Sequence, residues 1–488
     1  MAFSLEASWP AVRRGSASQN PEATFPGHAR RADRIMQNNQ HIERDFALTL
    51  AQLDFWEEFR AHPGEAVSTV AHAIEFSGAV DIEALARAIT RTILETDVLA
   101  LRFTATGDDQ PRQHLDEGRR PVLRRIDLSA DADPRACAMA MMQADLEAPL
   151  DLLTQPIAAE WLIHLGSDHA IWYNRGHHIV LDGYAMGLIE SRCARLYAAE
   201  VGGTDAGAPF GHFPAYLAEE DAYRASPRHD ADGAHWRQVL SAPPAPMTLT
   251  KGSEDYPAEE MSHEESLSDL RAPLLARSAE LGIGWPDLLT ALCAAWAALH
   301  LKDGSVARHD DGTRAALPVW LPYLSRMGSV AISIPALVVN ILPFDVSVEA
   351  DETVRATLTR LAARLRKLRR HGRYRIEQIG FDHGLGTQER FFFSPLINVL
   401  PFDQASFPGC QTQRHVLSNG PGDGFNITIR ADSTAQGLEL RMDGDPSLTP
   451  PKDFHEHRIS LPEFLREALR DESQDRPISA LSRHAEPA

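Results

Sequence analysis

Asn174-Arg-Gly-His-His-Ile-Val-Leu-Asp-Gly-Tyr184 is the stretch from which the rest of the chain can be read. Two adjacent histidines, three apolar residues and Asp-Gly form the pattern HHxxxDG at His177, His178, Asp182 and Gly183. The residues before it, Ala170-Ile-Trp-Tyr-Asn174, are aromatic and β-branched and predict a strand. Those after it place Ala185, Ile189, Cys193 and Leu196 on one face of a helix. The histidines therefore fall on a strand-to-helix turn, where side chains are held rigidly and can still face a cavity. Imidazole titrates at about 6.5 and exchanges protons near neutral pH. Neighbouring side chains on a turn point in different directions, so one histidine is expected to meet a substrate. A His-His-Asp set that only satisfies itself inside a core is the bland reading, and the Asp-Gly at fixed spacing on such a turn weighs against it. Adjacent histidines are a poor chelate and no Cys or Glu stands at ligand spacing, so no metal is expected.

HHxxxDG resembles the signature of the chloramphenicol-acetyltransferase-like acyltransferases, above all the condensation domains of nonribosomal peptide synthetases. The motif alone leaves carnitine-type, wax-ester and polyketide-associated acyltransferases open. Other segments agree, in the family's order. Leu48-Thr-Leu-Ala-Gln52 with Phe55-Trp56 resembles the opening SxAQxRLW motif, with Asp54 where the family often has Arg. Glu95-Thr-Asp-Val-Leu-Ala-Leu-Arg-Phe103 is similar to RHExLRTRF, although Glu95 and Ala100 replace two of its arginines. The aromatic and acidic run from Ala215 to Tyr223 resembles the fourth motif. Ser325-Arg-Met-Gly-Ser329, Val339-Asn-Ile-Leu-Pro-Phe344, His371–Gln378, Pro395–Asn398 and Asn419–Asp423 resemble segments of siderophore-type condensation domains. The likeness spans about residues 46–480. Ala185 stands where the family usually has Ser, which removes no proton-transfer group.

At 488 residues the chain is long for one core and comfortable for two lobes. It is 43% hydrophobic and 24% charged, as expected of a globular protein. The longest apolar helix candidate, 288–299, is too short to span a bilayer, and no secretory signal opens the chain. Cys137, Cys193, Cys293 and Cys410 lack pairing motifs, and a cytoplasmic location is expected. A net charge of −20 argues against nucleic acid as a partner. It also requires a local docking surface for an acidic carrier protein. The basic run at Arg360, Arg364, Arg366, Lys367, Arg369, Arg370, Arg373 and Arg375 predicts an amphipathic helix with its basic side outward. That helix is read as a solvated face or as a carrier-docking site through Arg366 and Arg370.

The expected organisation is a mobile extension over 1–45, an N-terminal lobe over 46–225 that carries HHxxxDG, a Pro-rich linker over 226–262, a C-terminal lobe over 263–470 and a tail over 471–488. The resemblance implies a mixed α/β fold, two chloramphenicol-acetyltransferase-like lobes that form a V around a central tunnel. Asp475–Leu481 resembles the end of a condensation domain, so a free-standing, monomeric domain is expected.

The function implied is acyl transfer. The chain would move an acyl, peptidyl or polyketide chain from the phosphopantetheine thioester of a carrier protein, acting in trans, to a soluble amine or alcohol, with no cofactor bound by the enzyme. By the resemblance His178 is the catalytic residue, supported by His177, Asp182, Gly183 and Arg326. Tyr184, Trp320, Asn340 and Asn398 are assigned to the tunnel or substrate site. Asp182 needs a cation if buried, because an unpaired buried carboxylate is costly, and Arg326 is the expected partner. No Ser nucleophile elbow or clear catalytic Cys is present, so no covalent acyl-enzyme is expected. The alternatives are an acyl-CoA-dependent acyltransferase of the same fold and a catalytically silent recruitment domain.

Overall fold

The aromatic run ahead of the histidines is a strand at the centre of a five-stranded sheet. Its members are β1 (Thr69–Gly78), β2 (Arg124–Asp127), β3 (Ala158–Gly166) and β4 (His169–His177), joined by a strand from much later in the chain. A second, six-stranded sheet contains β5 (Met261–Ser266), β6 (Leu317–Tyr323), β7 (Asn340–Val346), β8 (Leu396–Pro401), β10 (Phe425–Ala431) and β11 (Glu439–Gly444). Between β8 and β10 the chain leaves this sheet to form β9 (Cys410–Asn419), which pairs antiparallel with β1 from Cys410 opposite Gly78 to Asn419 opposite Val70. The first sheet thus has the order β9-β1-β4-β3-β2 and the second β7-β6-β8-β10-β11-β5. In this computed structural model residues 45–105, 110–241, 246–251, 261–301, 317–420 and 422–482 are described.

Strand periodicity sorts the first sheet's side chains onto two covered faces. Val70, Ile74, Phe76, Ala170 and Trp172 pack under α2 (Ile82–Glu95) and α4 (Gly183–Gly202), which follows α1 (Leu50–Ala61) and α3 (Pro134–Glu147) in the chain. Ala71, Ala73, Ile171 and Tyr173 face Ala138 and Met142 of α3 on the other side. Both faces being covered explains why β4 reads as a near-continuous apolar run. The helix forecast after the motif is α4, capped at its start by Asp182 and ended by Gly203 at φ 65°.

The elements that follow α4 are α5 (Phe213–Arg224), α6 (Pro227–Leu240), α7 (Arg271–Leu281), α8 (Trp285–His300), α9 (Val354–Arg370), α10 (Ile376–Asp382) and α11 (Pro451–Ala468). Leu288, Leu289, Leu292 and Trp296 of α8 are fully buried with Ile427, Ile429, Leu440 and Met442 of the second sheet. Among the described residues no single helix is long and apolar enough to cross a membrane.

Three segments differ from the sequence reading. The stretch read as linker, 226–262, carries α6; its polar surface hid a helix that buries Trp236 and Leu240 and starts at the Ser226 cap. Residues 242–245 and 252–260 of it lie outside the described residues. The segment read as a tail, 471–488, is packed as far as it is described, with Ile478 fully buried and the Val354 N–H donating to the Arg476 carbonyl at 3.0 Å. β9 went unread because Gln411, Gln413 and Arg414 give it no apolar alternation. The extension expected over 1–45 lies outside the described residues apart from Asp45. From residue 47 onward the described residues form one compact unit.

Candidate active site

Gly176 gives the turn room. A Cβ there would lie 2.6 Å from Leu181 Cδ1, so any larger residue would have to push the Leu181 side chain aside as 177–181 folds back on the strand end. His177 closes β4 and is buried. Its backbone N–H donates to the Ile157 carbonyl, and its Nδ1 accepts from the Ile179 N–H, both at 3.0 Å. Burial, aided by the neighbouring His178 and Arg175, brings its pKa down to about 3, so the ring is neutral.

His178 sits differently. Its backbone N–H donates to the Ser68 carbonyl at 2.8 Å, and its half-buried ring stacks on Phe55 with centroids 5.0 Å apart and planes 9° from parallel. Among the described residues Nδ1 is buried without a hydrogen-bond partner. Burial lowers the pKa of this imidazole, and the Asp182 carboxylate opposes that. Gly420, at φ 77°, approaches so closely that a Cβ there would lie 3.2 Å from His178 Cδ2.

Asp182 is satisfied on every side. Its Oδ1 accepts from the Ala185 N–H at 2.8 Å, and its Oδ2 from the Val338 and Val339 N–H groups at 2.9 Å each. Arg326 Nη2 donates to both carboxylate oxygens, at 3.0 and 2.9 Å. The guanidinium also donates to the Ala331, Ile334 and Ala336 carbonyls at 2.6–2.7 Å. Both side chains are buried, and the surrounding cation and N–H donors outweigh desolvation, holding the carboxyl below its usual pKa. Asp182 thereby fixes the turn, starts α4 and fastens both to the 326–339 segment. Ala185 gives its N–H to this cap and is fully buried. At Gly183 a Cβ would meet nothing within 4 Å, so the space beside the first turn of α4 is open.

A condensation-domain family model matches residues 42–443. The chain belongs to the condensation-domain family. That is an acyltransferase family of the nonribosomal peptide synthetase type. The chain is 29% identical over 426 residues to a dimodular nonribosomal peptide synthase of Bacillus subtilis (strain 168), which covers 87% of it. It is 31% identical over 406 residues to enterobactin synthase component F of Escherichia coli O157:H7, covering 81%. It spans only 17% and 30% of those two synthetases. Among solved structures, VibH, an NRPS condensation enzyme, superposes with a TM-score of 0.78 at 32% identity, covering 88% of this chain and 100% of VibH. The starter condensation domain of rhizomide synthetase, solved with C8-CoA, gives 0.76 at 25% identity over 92% of this chain and 99% of that domain. The mixed helix-and-strand architecture is thus the chloramphenicol-acetyltransferase-like fold of condensation domains.

Within this condensation domain the remaining site residues separate. Tyr184 is half-buried, with the Arg326 guanidinium 4.9 Å above its ring and Phe402 edge-on at 5.5 Å. Asn398 is half-buried on β8 opposite Thr428. Trp320 and Asn340 are both buried and engaged by other side chains or backbone. Trp320 is 1% exposed and packs against Phe391 and Phe393. Asn340 is equally buried: its Nδ2 donates to the Gly372 and Tyr374 carbonyls at 2.8 and 2.9 Å, and its Oδ1 accepts from the Ile376 N–H at 3.0 Å. An asparagine with all its hydrogen-bonding groups spent on backbone is a brace for β7, which motif position alone could not reveal.

The basic side of α9 is likewise more occupied than its sequence suggested. Arg360 is tied to Glu352 and Arg369 to Asp287, while Arg364 lies over the Phe344 ring. Beyond the helix, Arg373 reaches Glu219 and Glu220, and Arg375 reaches Glu377. Arg366 and Arg370 are exposed, with no ion pair among the described residues. The departures from the family motifs are also accounted for. Glu95, in place of an arginine, accepts from Arg192 Nε at 2.6 Å and Arg91 Nε at 2.9 Å, so the cation comes from α4 instead. Asp54 pairs with Lys251 at 2.5 Å.

Proposed function

We propose that this condensation domain transfers an acyl, peptidyl or polyketide chain from the phosphopantetheine thioester of a carrier protein to a small-molecule amine or alcohol. The observation that carries the reading is the contrast between the two histidines. His177 is spent on the backbone and locked neutral, whereas His178 is half-buried, without a hydrogen-bond partner at Nδ1 among the described residues, and held on a turn pinned by Asp182 and Arg326. A lowered pKa keeps His178 unprotonated near neutral pH, the form a base requires.

In the proposed reaction the acceptor N–H or O–H attacks the thioester carbon while His178 Nε2 takes its proton. The tetrahedral intermediate collapses, the C–S bond breaks, and His178 returns the proton to the departing thiolate. Atoms balance with no covalent acyl-enzyme. His177, Asp182, Gly183 and Arg326 hold the base in place. Tyr184 and Asn398 remain assigned to the substrate site on family analogy. We read 46–225 and 263–470 as its two lobes, with β9 as a loan from the second to the sheet of the first. Arg366 and Arg370, exposed on α9 and without an ion pair among the described residues, are the proposed contacts for an acidic carrier.

The test supplies acyl groups on a separately purified carrier protein and on coenzyme A, with a panel of amines and alcohols, and follows product by mass spectrometry. Transfer from the carrier at far lower donor concentration supports the proposal. Equal use of acyl-CoA would favour the second reading, an acyl-CoA-dependent enzyme, to which the C8-CoA complex of the rhizomide starter domain lends weight. No transfer from either donor would leave a recruitment domain.

A further inference from the structure

His178 owes its surroundings to one helix. Phe55 and Glu58 stand three apart on α1 and so share a face. Phe55 lies flat on the imidazole at 5.0 Å. Glu58 accepts a hydrogen bond from the Ser68 hydroxyl, and the Ser68 carbonyl accepts the His178 backbone N–H at 2.8 Å. Ser68 adopts φ 52°, a left-handed conformation that a serine rarely takes, and it is 1% exposed. Such a conformation persists where the surroundings over-determine it. Here Glu58 holds its side chain, and His178 and β1 hold its backbone. Phe55 occupies the leucine position of the SxAQxRLW motif, so this chain places an aromatic ring where the family pattern has an aliphatic one.

We propose that α1 is the positioning element of the catalytic histidine: Glu58, through Ser68, sets where His178 stands, and Phe55, by covering its ring, sets which protonation state it holds. The inference rests on the reading of His178 as the base. Two physical effects of Phe55 oppose each other. Excluding water from the ring disfavours imidazolium, whereas the face of an aromatic ring attracts a cation. Burial is the largest influence on this imidazole and lowers its pKa, so exclusion wins.

The other titratable groups around the ring are already committed. Asp182 on the turn, which favours imidazolium, is tied to Arg326; His177 is neutral. On α1, Asp54 is paired with Lys251 and Glu58 with Ser68; in the 419–424 segment, Asp423 is paired with Arg390. Removing the cover therefore leaves hydration as the main change.

The experiment titrates His178 directly, by NMR of the full chain carrying isotope-labelled histidine, with its signal identified by loss in His178→Gln. Phe55→Ala should make His178 titrate at higher pH than wild type, and Phe55→Leu, which keeps an apolar cover, should stay near wild type. The acidic limb of the kcat/KM profile should follow the titration. Glu58→Ala, which removes the acceptor of the Ser68 hydroxyl, should leave both where they are and lower kcat by up to about 10²-fold, the scale of a misplaced reacting group, and an unchanged kcat overturns the part of the proposal that rests on Glu58. If Phe55→Ala does not fold, Phe55→Gln, which leaves a smaller cavity than alanine and brings polar atoms to the ring, replaces it with the same expectation. A titration that stays put or moves to lower pH overturns the proposal. A titration that moves while the kcat/KM limb does not upholds it and removes His178 as the base.

Discussion

Two buried regions of this molecule are built on opposite principles. Around α8 the interior is hydrocarbon: Leu288, Leu289, Leu292, Cys293 and Trp296 are fully buried, and the Trp296 ring N–H reaches Ser460 Oγ at 3.3 Å. Around the histidine turn the interior is ionic. Asp182 and Arg326 are buried together, and His72 of β1, Glu160 of β3 and Glu190 of α4 are buried as well, with His72 hydrogen-bonded to Glu190. An apolar core is held by area and shape and tolerates volume-conserving exchange. A buried ionic cluster adds little net stability over apolar packing, yet it fails badly when one partner is removed. The first region keeps the chain folded. The second fixes where atoms stand.

The difference can be broken most strongly at Arg326. Arg326→Ala would leave Asp182 as an uncompensated buried charge, and a loss of about 3–5 kcal/mol in unfolding free energy is expected, together with loss of transfer. Chemical denaturation and a transfer assay on the folded fraction measure both. Leu292→Ala in α8 should cost about 2–5 kcal/mol by the cavity it leaves, while turnover per folded molecule stays near wild type. A large fall in kcat in that variant would show that the two regions are not independent.

A smaller effect sharpens the ionic side. Glu160 accepts from the Trp172 ring N–H at 2.7 Å, and burial, with Glu190 nearby, raises its pKa from 4.5 to about 8. The folded state therefore holds a proton that the unfolded chain releases. This contribution to stability is fully present below pH 4.5, is lost as pH rises towards 8, and changes no further above that. Glu160→Gln should grow more stable relative to wild type across that window, as thermal melts at stepped pH would show. A constant difference would mean that Glu160 is ionised in the fold. The smallest effect belongs to the surface. Arg366→Glu with Arg370→Glu should slow transfer from the carrier severalfold, more at low salt, and leave a short thioester mimic unaffected.

Much of the ionic region could be read from sequence because its rules are local or compulsory. Two histidines, an N-capping Asp and a glycine fit one kind of turn, and a buried carboxylate demands a cation, which led to Arg326. Other features depend on residues distant in the chain. β9 is polar and acquires strand form by pairing with β1 more than 300 residues earlier, so no periodicity within it could announce it. Trp320 and Asn340 sit in motif-like segments, yet one is core and the other a backbone brace; only their partners at 372–376 and 391–393 reveal this. The arginines of α9 were visible as charge, but not the acids that engage Arg355, Arg360 and Arg369. Phe55 was visible beside Trp56; its ring lying on His178 was not.

His178→Ala tests the central claim most directly. With saturating carrier-bound donor and acceptor, we expect kcat to fall about 10²–10⁴-fold, the usual contribution of a positioned base. The melting temperature should stay near that of wild type, because the half-buried residue makes no hydrogen bond through its buried Nδ1 among the described residues. Near-normal turnover from a folded His178→Ala protein would contradict the assignment of this histidine as the base.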